Sequence, residues 1–192
     1  MNARIMAIRP VLQFPDARLK RKSTPISEVT DEIRILAADM LETMYDEPGI
    51  GLAAPQVDAA VRLIVLDTTW TEEGSERSPL VLVNPEVVFR DGTIVWTEGC
   101  LSVPDFEAEV ERSARVRVRA LDLDGKPLEL EADELQAVCF QHEIDHLDGI
   151  LFIDRISRLK RSLYVKKRQK ALRREAEDED GSGTIIDPRH DL

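Results

Sequence analysis

The chain has 192 residues, of which 43% are hydrophobic and 33% charged, which suits one globular domain with an appended segment and a core that needs no disulfide staples. Its net charge of −11 argues against a general nucleic-acid binder, since the phosphate backbone would be repelled. Two cysteines make no disulfide framework and fit a reducing cytoplasm, no apolar run reaches the 18 or so residues of a membrane span, and the N-terminus carries no signal-peptide pattern.

Val29, Ile33, Leu36, Met40 and Met44 recur at intervals of three and four, which predicts a helix over 27–45 with Ser27 as N-cap and Pro48-Gly49 as its stop. Strand-like runs follow at 62–67, 80–84, 86–90 and 93–98, with an exposed loop at 71–79 between the first two. Residues 115–119 alternate strictly, placing Val116 and Val118 on one face and three arginines on the other. Asp124-Gly125 predicts a hairpin turn into 128–130. A second helix is expected over 133–147, capped by Asp133 with Gln136 completing a partial capping box. A third, over 156–175, has a weak stripe of Ile156, Leu159 and Leu163, and 177–192 reads as an acidic, flexible tail. Strands in blocks with helices before and after predict an α+β fold. Charge divides the chain in the same way. Residues 1–154 are acidic, 155–174 hold ten basic side chains and no acidic one, and the end is acidic again.

The second predicted helix carries Gln141-His142-Glu143-Ile144-Asp145-His146, which contains H-E-x-x-H. Histidines four apart lie one turn apart on one helix face, so both imidazoles can reach a single metal ion. Glu143 stands beside the first of them and can act as a general base without itself being a ligand. A catalytic metal normally takes three protein ligands. Phe152 stands where a further histidine would extend the motif, and Glu175 and Glu177 lie in a charge-dense segment that makes a poor ligand platform. His190 is three residues from the end. Cys139 shares the helix face, but a seven-residue offset from His146 spans about 10.5 Å of axis, too far for one ion; packing beside the metal helix suits it better. Cys100, in Glu98-Gly-Cys-Leu-Ser-Val-Pro104 just past a strand, is the better candidate. Gly49-Ile-Gly-Leu-Ala-Ala-Pro-Gln56 is a loop of small residues ending in an amide able to donate to an oxyanion.

Taken together and in this order, GIGLAAPQ at 49–56, EGCLSVP at 98–104 and QHEIDHLDG at 141–149 resemble the peptide deformylase family. That resemblance implies antiparallel β-sheets packed around a central helix carrying H-E-x-x-H, followed by a C-terminal helix. It implies Cys100, His142 and His146 as metal ligands, Glu143 as general acid/base, and the Gln56 amide with the Leu101 backbone N–H as oxyanion donors. It places Ile50, Leu135, Val138 and Cys139 at a methionine pocket, and Gly51 and Gly99 against the peptide backbone. The implied cofactor is Fe2+, with Zn2+, Ni2+ or Co2+ able to substitute, although ligand type alone points to zinc. The implied reaction removes the N-formyl group from N-formylmethionine on nascent peptides in the cytoplasm. The ribosome is the partner implied for the basic segment 155–174, against the simpler reading of a solvated helix. Some family members carry Arg near the substrate backbone where this chain has Glu107. Two rival readings from the residues are a zinc endopeptidase, which lacks a convincing third ligand, and a ribosome-associated binder without turnover, which leaves Glu143, Gln56 and Cys100 unexplained.

Overall fold

The computed structural model describes residues 7–70 and 76–181, with side chains to residue 177. Helix α1 (Asp31–Asp46) begins four residues later than the apolar spacing suggested. Thr30, in extended conformation, is the N-cap, and Asp31 and Glu32 place negative charge in the first turn, where the helix dipole favours it. The segment before it is held differently: the Ile26 N–H donates to Asn84 Oδ1 at 2.8 Å, which keeps the chain out of the helix.

Strands β1 (Gly51–Ala53), β2 (Leu63–Leu66), β3 (Leu80–Asp91), β6 (Arg115–Leu121) and β7 (Pro127–Asp133) form one antiparallel sheet in the order β1-β2-β3-β6-β7. β4 (Ile94–Cys100) and β5 (Val103–Arg112) form a separate antiparallel pair. The runs expected at 80–84 and 86–90 are thus one strand. Asn84 has φ 53° and the pairing with β6 shifts register between Val83 and Glu86, so Asn84-Pro85 is an irregularity within the strand. β5 was not foreseen. It passes through Pro104 because a two-stranded ribbon leaves one edge of each strand unpaired, where a missing N–H costs little.

β2 shows why the core sits where it does. All four of its residues are buried: Leu63 and Val65 pack with Met40 and Met44 of α1, while Ile64 and Leu66 pack with helix α2 (Glu134–Leu147). A strand covered on both faces reads as a continuous apolar run. On β6, Val116 and Val118 face α2 as expected, and the arginines point outward. The Asp122–Lys126 turn joins β6 to β7, with Gly125 at φ 75°. α2 starts directly after β7. Asp133 is its N-cap residue but makes no side-chain cap hydrogen bond, so the expected capping box is absent. Its C-terminal end is fixed by Gly149 at φ 73°, where a Cβ would collide with the Lys20 carbonyl.

The molecule divides into two compact units, Met1–Arg155 and Ile156–Leu192. In the second, helix α3 (Arg158–Gly181) runs past residue 175. Leu159 and Leu163 are exposed, so the weak stripe read there is not a buried face. The expected flexible tail lies largely outside the described residues, as do His190 and most of the loop expected at 71–79. No described helix is long and apolar enough to cross a membrane.

Candidate metal centre and its cavity

α2 is buried from Ala137 to Leu147. Ala137, Phe140, Ile144 and Leu147 anchor it to the sheet, which turns His142, Glu143 and His146 toward the other side. β4 ends at Cys100, and a two-residue connection, Leu101-Ser102, returns the chain into β5. This tight end carries the sulfur to the helix. Cys100 Sγ lies 3.3 Å from His146 Nε2, and His146 Nε2 lies 3.2 Å from His142 Nε2. All three ligand atoms fall within 4.8 Å of one another.

A tetrahedral ion with bonds of about 2.0–2.3 Å needs its ligand atoms roughly 3.3–3.6 Å apart. The Cys/His/His set therefore fits a divalent metal in spacing and in donor chemistry. His142 Nδ1 is 2.7 Å from Glu98 Oε2, and a carboxylate partner there directs Nε2 and its lone pair toward the cluster. His146 Nδ1 is buried with no hydrogen-bond partner among the described residues. Burial pushes His142 toward lower pKa, but Cys100 and Glu98 beside it prevail and hold it well above its ordinary value. Burial and the neighbouring His142 hold His146 well below its own.

The floor beneath these residues is a chain of buried ion pairs. Arg112 grips Glu98 with Nε at 2.6 Å and Nη2 at 2.9 Å, and donates from Nη1 to Asp145 Oδ2 at 2.5 Å. Asp145 also receives Arg155 through both of its oxygens. Burial alone would raise the Glu98 carboxyl, but Arg112 and His142 hold it at about 2. Glu98, Arg112 and Asp145 were not singled out from the sequence. Glu98 and Asp145 lie inside the motifs read there, but only the fold brings Arg112 to them from β5.

A cavity of about 890 Å³ opens over the cluster. The six residues expected at the substrate all line it: Ile50, Gly51, Gly99, Leu135, Val138 and Cys139. Gly51 has a plain steric reason, since a Cβ there would overlap Glu143 Oε1. Cys139 Sγ is buried 3.7 Å from the Ile50 carbonyl oxygen and stands outside the three-ligand cluster. Burial, with Glu143 nearby, pushes its thiol well up. Glu143 Oε2 is buried without a partner among the described residues, and burial raises its carboxyl to about 7. Gln56 accepts the Ala53 N–H at 2.8 Å through Oε1. Its Nε2 donates to Ser102 Oγ at 3.1 Å and lies 3.6 Å from Cys100 Sγ. Leu101 lines the same cavity. A cavity with three convergent ligand atoms, a desolvated carboxylate and an amide beside them is equipped for metal-assisted hydrolysis.

Comparison with known proteins agrees. The sequence model of the polypeptide deformylase family matches residues 8–162. The peptide deformylase of Alkalilimnicola ehrlichii is 54% identical over 168 residues, covering 88% of this chain and 93% of that protein. The crystal structure of a peptide deformylase from Legionella pneumophila superposes with a TM-score of 0.81 at 43% identity, covering 88% of this chain and 98% of that one. A Met-Ala-Ser-bound class I type b peptide deformylase from Acinetobacter baumannii gives 0.75 at 35% identity, covering 79% and 100%.

Proposed function

The chain belongs to the polypeptide deformylase family, and from that membership we propose how its own residues carry the reaction. The reaction is hydrolysis of the N-formyl group at the start of newly made peptides, releasing formate. Cys100, His142 and His146 hold the metal, and Fe2+ is the resident ion, with Zn2+, Ni2+ or Co2+ able to replace it. The carrying observation is the gathering of those three ligand atoms within 4.8 Å at the end of a cavity. When bound, the ion supplies a Lewis acid that polarises the formyl group and acidifies water.

Glu143 Oε2 takes a proton from water, whose oxygen attacks the formyl carbon. Its burial and raised pKa suit a group that must both accept and return a proton near neutral pH. The Gln56 amide and the Leu101 N–H stabilise the oxyanion, and Gln56 exchanges its bond to Ser102 for one to substrate. As the C–N bond breaks, Glu143 returns the proton to the leaving nitrogen. Ile50, Leu135, Val138 and Cys139 receive the methionine side chain, while Gly51 and Gly99 let the peptide backbone approach. A Met-Ala-Ser complex of the A. baumannii relative supports a peptide-shaped occupant.

The catalytic part is residues 1–154, followed by a basic segment over 155–176 and an acidic segment over 177–192, with α3 running from the one into the other. The run of basic side chains in 155–174 is proposed to meet ribosomal RNA, in the cytoplasm where nascent chains emerge; salt-sensitive co-sedimentation with ribosomes tests it. The decisive experiment for the reaction is anaerobic incubation of the Fe2+-loaded protein with formyl-Met-Ala-Ser. One formate per peptide is expected; no formate overturns the reading.

A further inference from the structure

The two groups assigned to the oxyanion come from separate parts of the fold. Gln56 lies in the short helical turn Ala54–Val57 after β1, whereas Leu101 lies in the connection between β4 and β5, a pair that shares no sheet with β1. Ser102, which follows Leu101 and is fully buried, links them. Its Oγ accepts from Gln56 Nε2 at 3.1 Å, and its carbonyl accepts the Phe14 N–H at 2.8 Å. Two residues before Phe14, the Leu12 N–H donates to the Gln56 carbonyl at 2.7 Å. Residues 12–14 thus form a strap that closes a ring through both elements: Leu12 to Gln56, Gln56 to Ser102, Ser102 to Phe14. Gln56 Oε1 is held by the Ala53 N–H, so the nitrogen is the end of the amide that faces Ser102. Cys100 Sγ, at 3.6 Å, is the second acceptor of that nitrogen.

We infer that Ser102 is a positioning residue for the Gln56 amide: its hydroxyl keeps Nε2 poised for the oxyanion, and the strap through Leu12 and Phe14 sets the separation of Gln56 from Leu101. The inference rests on the deformylase reading of the same cavity. An oxyanion donor is effective when it is already in place as charge develops, and it loses that advantage if it must reorganise first. A neutral hydroxyl is an acceptor that the amide readily leaves for a charged oxygen, whereas a thiolate is itself anionic and would retain it. Without the hydroxyl, the nitrogen is left with the sulfur as its acceptor, and its donor is withdrawn from the reacting oxygen. The strap's bond to the Ser102 carbonyl steadies the Leu101 N–H as well, since the two residues are chain neighbours. The loss falls on the transition state rather than on peptide binding. Removing the hydroxyl should therefore lower kcat roughly tenfold and leave KM within about twofold.

The test is a double-mutant cycle on Ser102 and Gln56, read as kcat and KM for formyl-Met-Ala-Ser. Ser102→Ala should lower kcat roughly tenfold and Gln56→Ala about 10²–10³-fold. The double variant should fall no further than Gln56→Ala alone, because Ser102 acts through that amide. Ser102→Gly deletes the same hydroxyl and should behave alike, so it reads the contact should the alanine variant fail to fold. An unchanged kcat in the Ser102 variants overturns the inference. So does a fall that persists in full on the Gln56→Ala background, since Ser102 would then act through packing alone. A loss confined to KM overturns it too. Absence of formate from the unaltered protein instead overturns the deformylase reading.

Discussion

The floor and the mouth of the cavity treat charge in opposite ways. On the floor the charged groups grip one another: His142 by Glu98, Glu98 by Arg112, Arg112 by Asp145, Asp145 by Arg155. At the mouth, Glu47 and Glu107 stand in water without an ion-pair partner among the described residues. A buried charge must be paired or it shifts its pKa, whereas an exposed one is already solvated and stays free to act on a ligand. Glu143 differs: its Oε2 is buried with no hydrogen-bond partner among the described residues, and burial raises its pKa. The difference leaves rigidity to the paired groups of the floor and proton transfer to Glu143.

The sharpest test of the floor removes a ligand. Cys100→Ala should lose bound metal and all turnover, while Cys139→Ala should retain the metal, as read by metal analysis after gel filtration; the reverse result would overturn the ligand set. Glu143→Ala should keep its metal yet lose about 10³-fold in kcat. Retained turnover would remove Glu143 from the mechanism. Arg112→Met leaves Glu98 and Asp145 facing each other without their shared cation, and should cost about 3–5 kcal/mol in urea unfolding.

A fourth test asks whether tight pairing of buried acids extends beyond the cavity. Asp67 accepts the Tyr45 hydroxyl at 2.8 Å, the Thr69 hydroxyl at 2.8 Å and the Ser78 N–H at 2.7 Å. Burial would raise its pKa, but these bonds lower it below the ordinary 3.8. A depressed carboxylate pKa stabilises the fold above the unfolded value, and that contribution fades as pH falls from there through the folded value. Tyr45→Phe should cost about 1–2 kcal/mol at neutral pH and less at acid pH, by urea unfolding at both.

Much of this was legible in the chain because it depends on local spacing. Val116 and Val118 share a face since side chains alternate along any strand, and His142 and His146 share one since four residues make a helical turn. The start of α1 was misplaced because Ser27 and Thr30 are both competent caps, and the choice fell to a contact with Asn84, 58 residues away from Ile26. β5 was missed because Pro104 reads locally as a stop, and only its pairing with β4 shows that it is tolerated.

By itself the sequence determined the elements whose period is short, the helix that carries both imidazoles, and through its three motifs the resemblance to a family. Which sulfur meets those imidazoles was decided by tertiary structure, because the end of β4 and α2 are brought together only by the packing of the sheets. The same holds for Arg112 beneath Glu98, and for Glu47 and Glu107 lining one cavity. Periodicity acts over a few residues, whereas electrostatic partnership depends on distance in space, which the chain order does not contain.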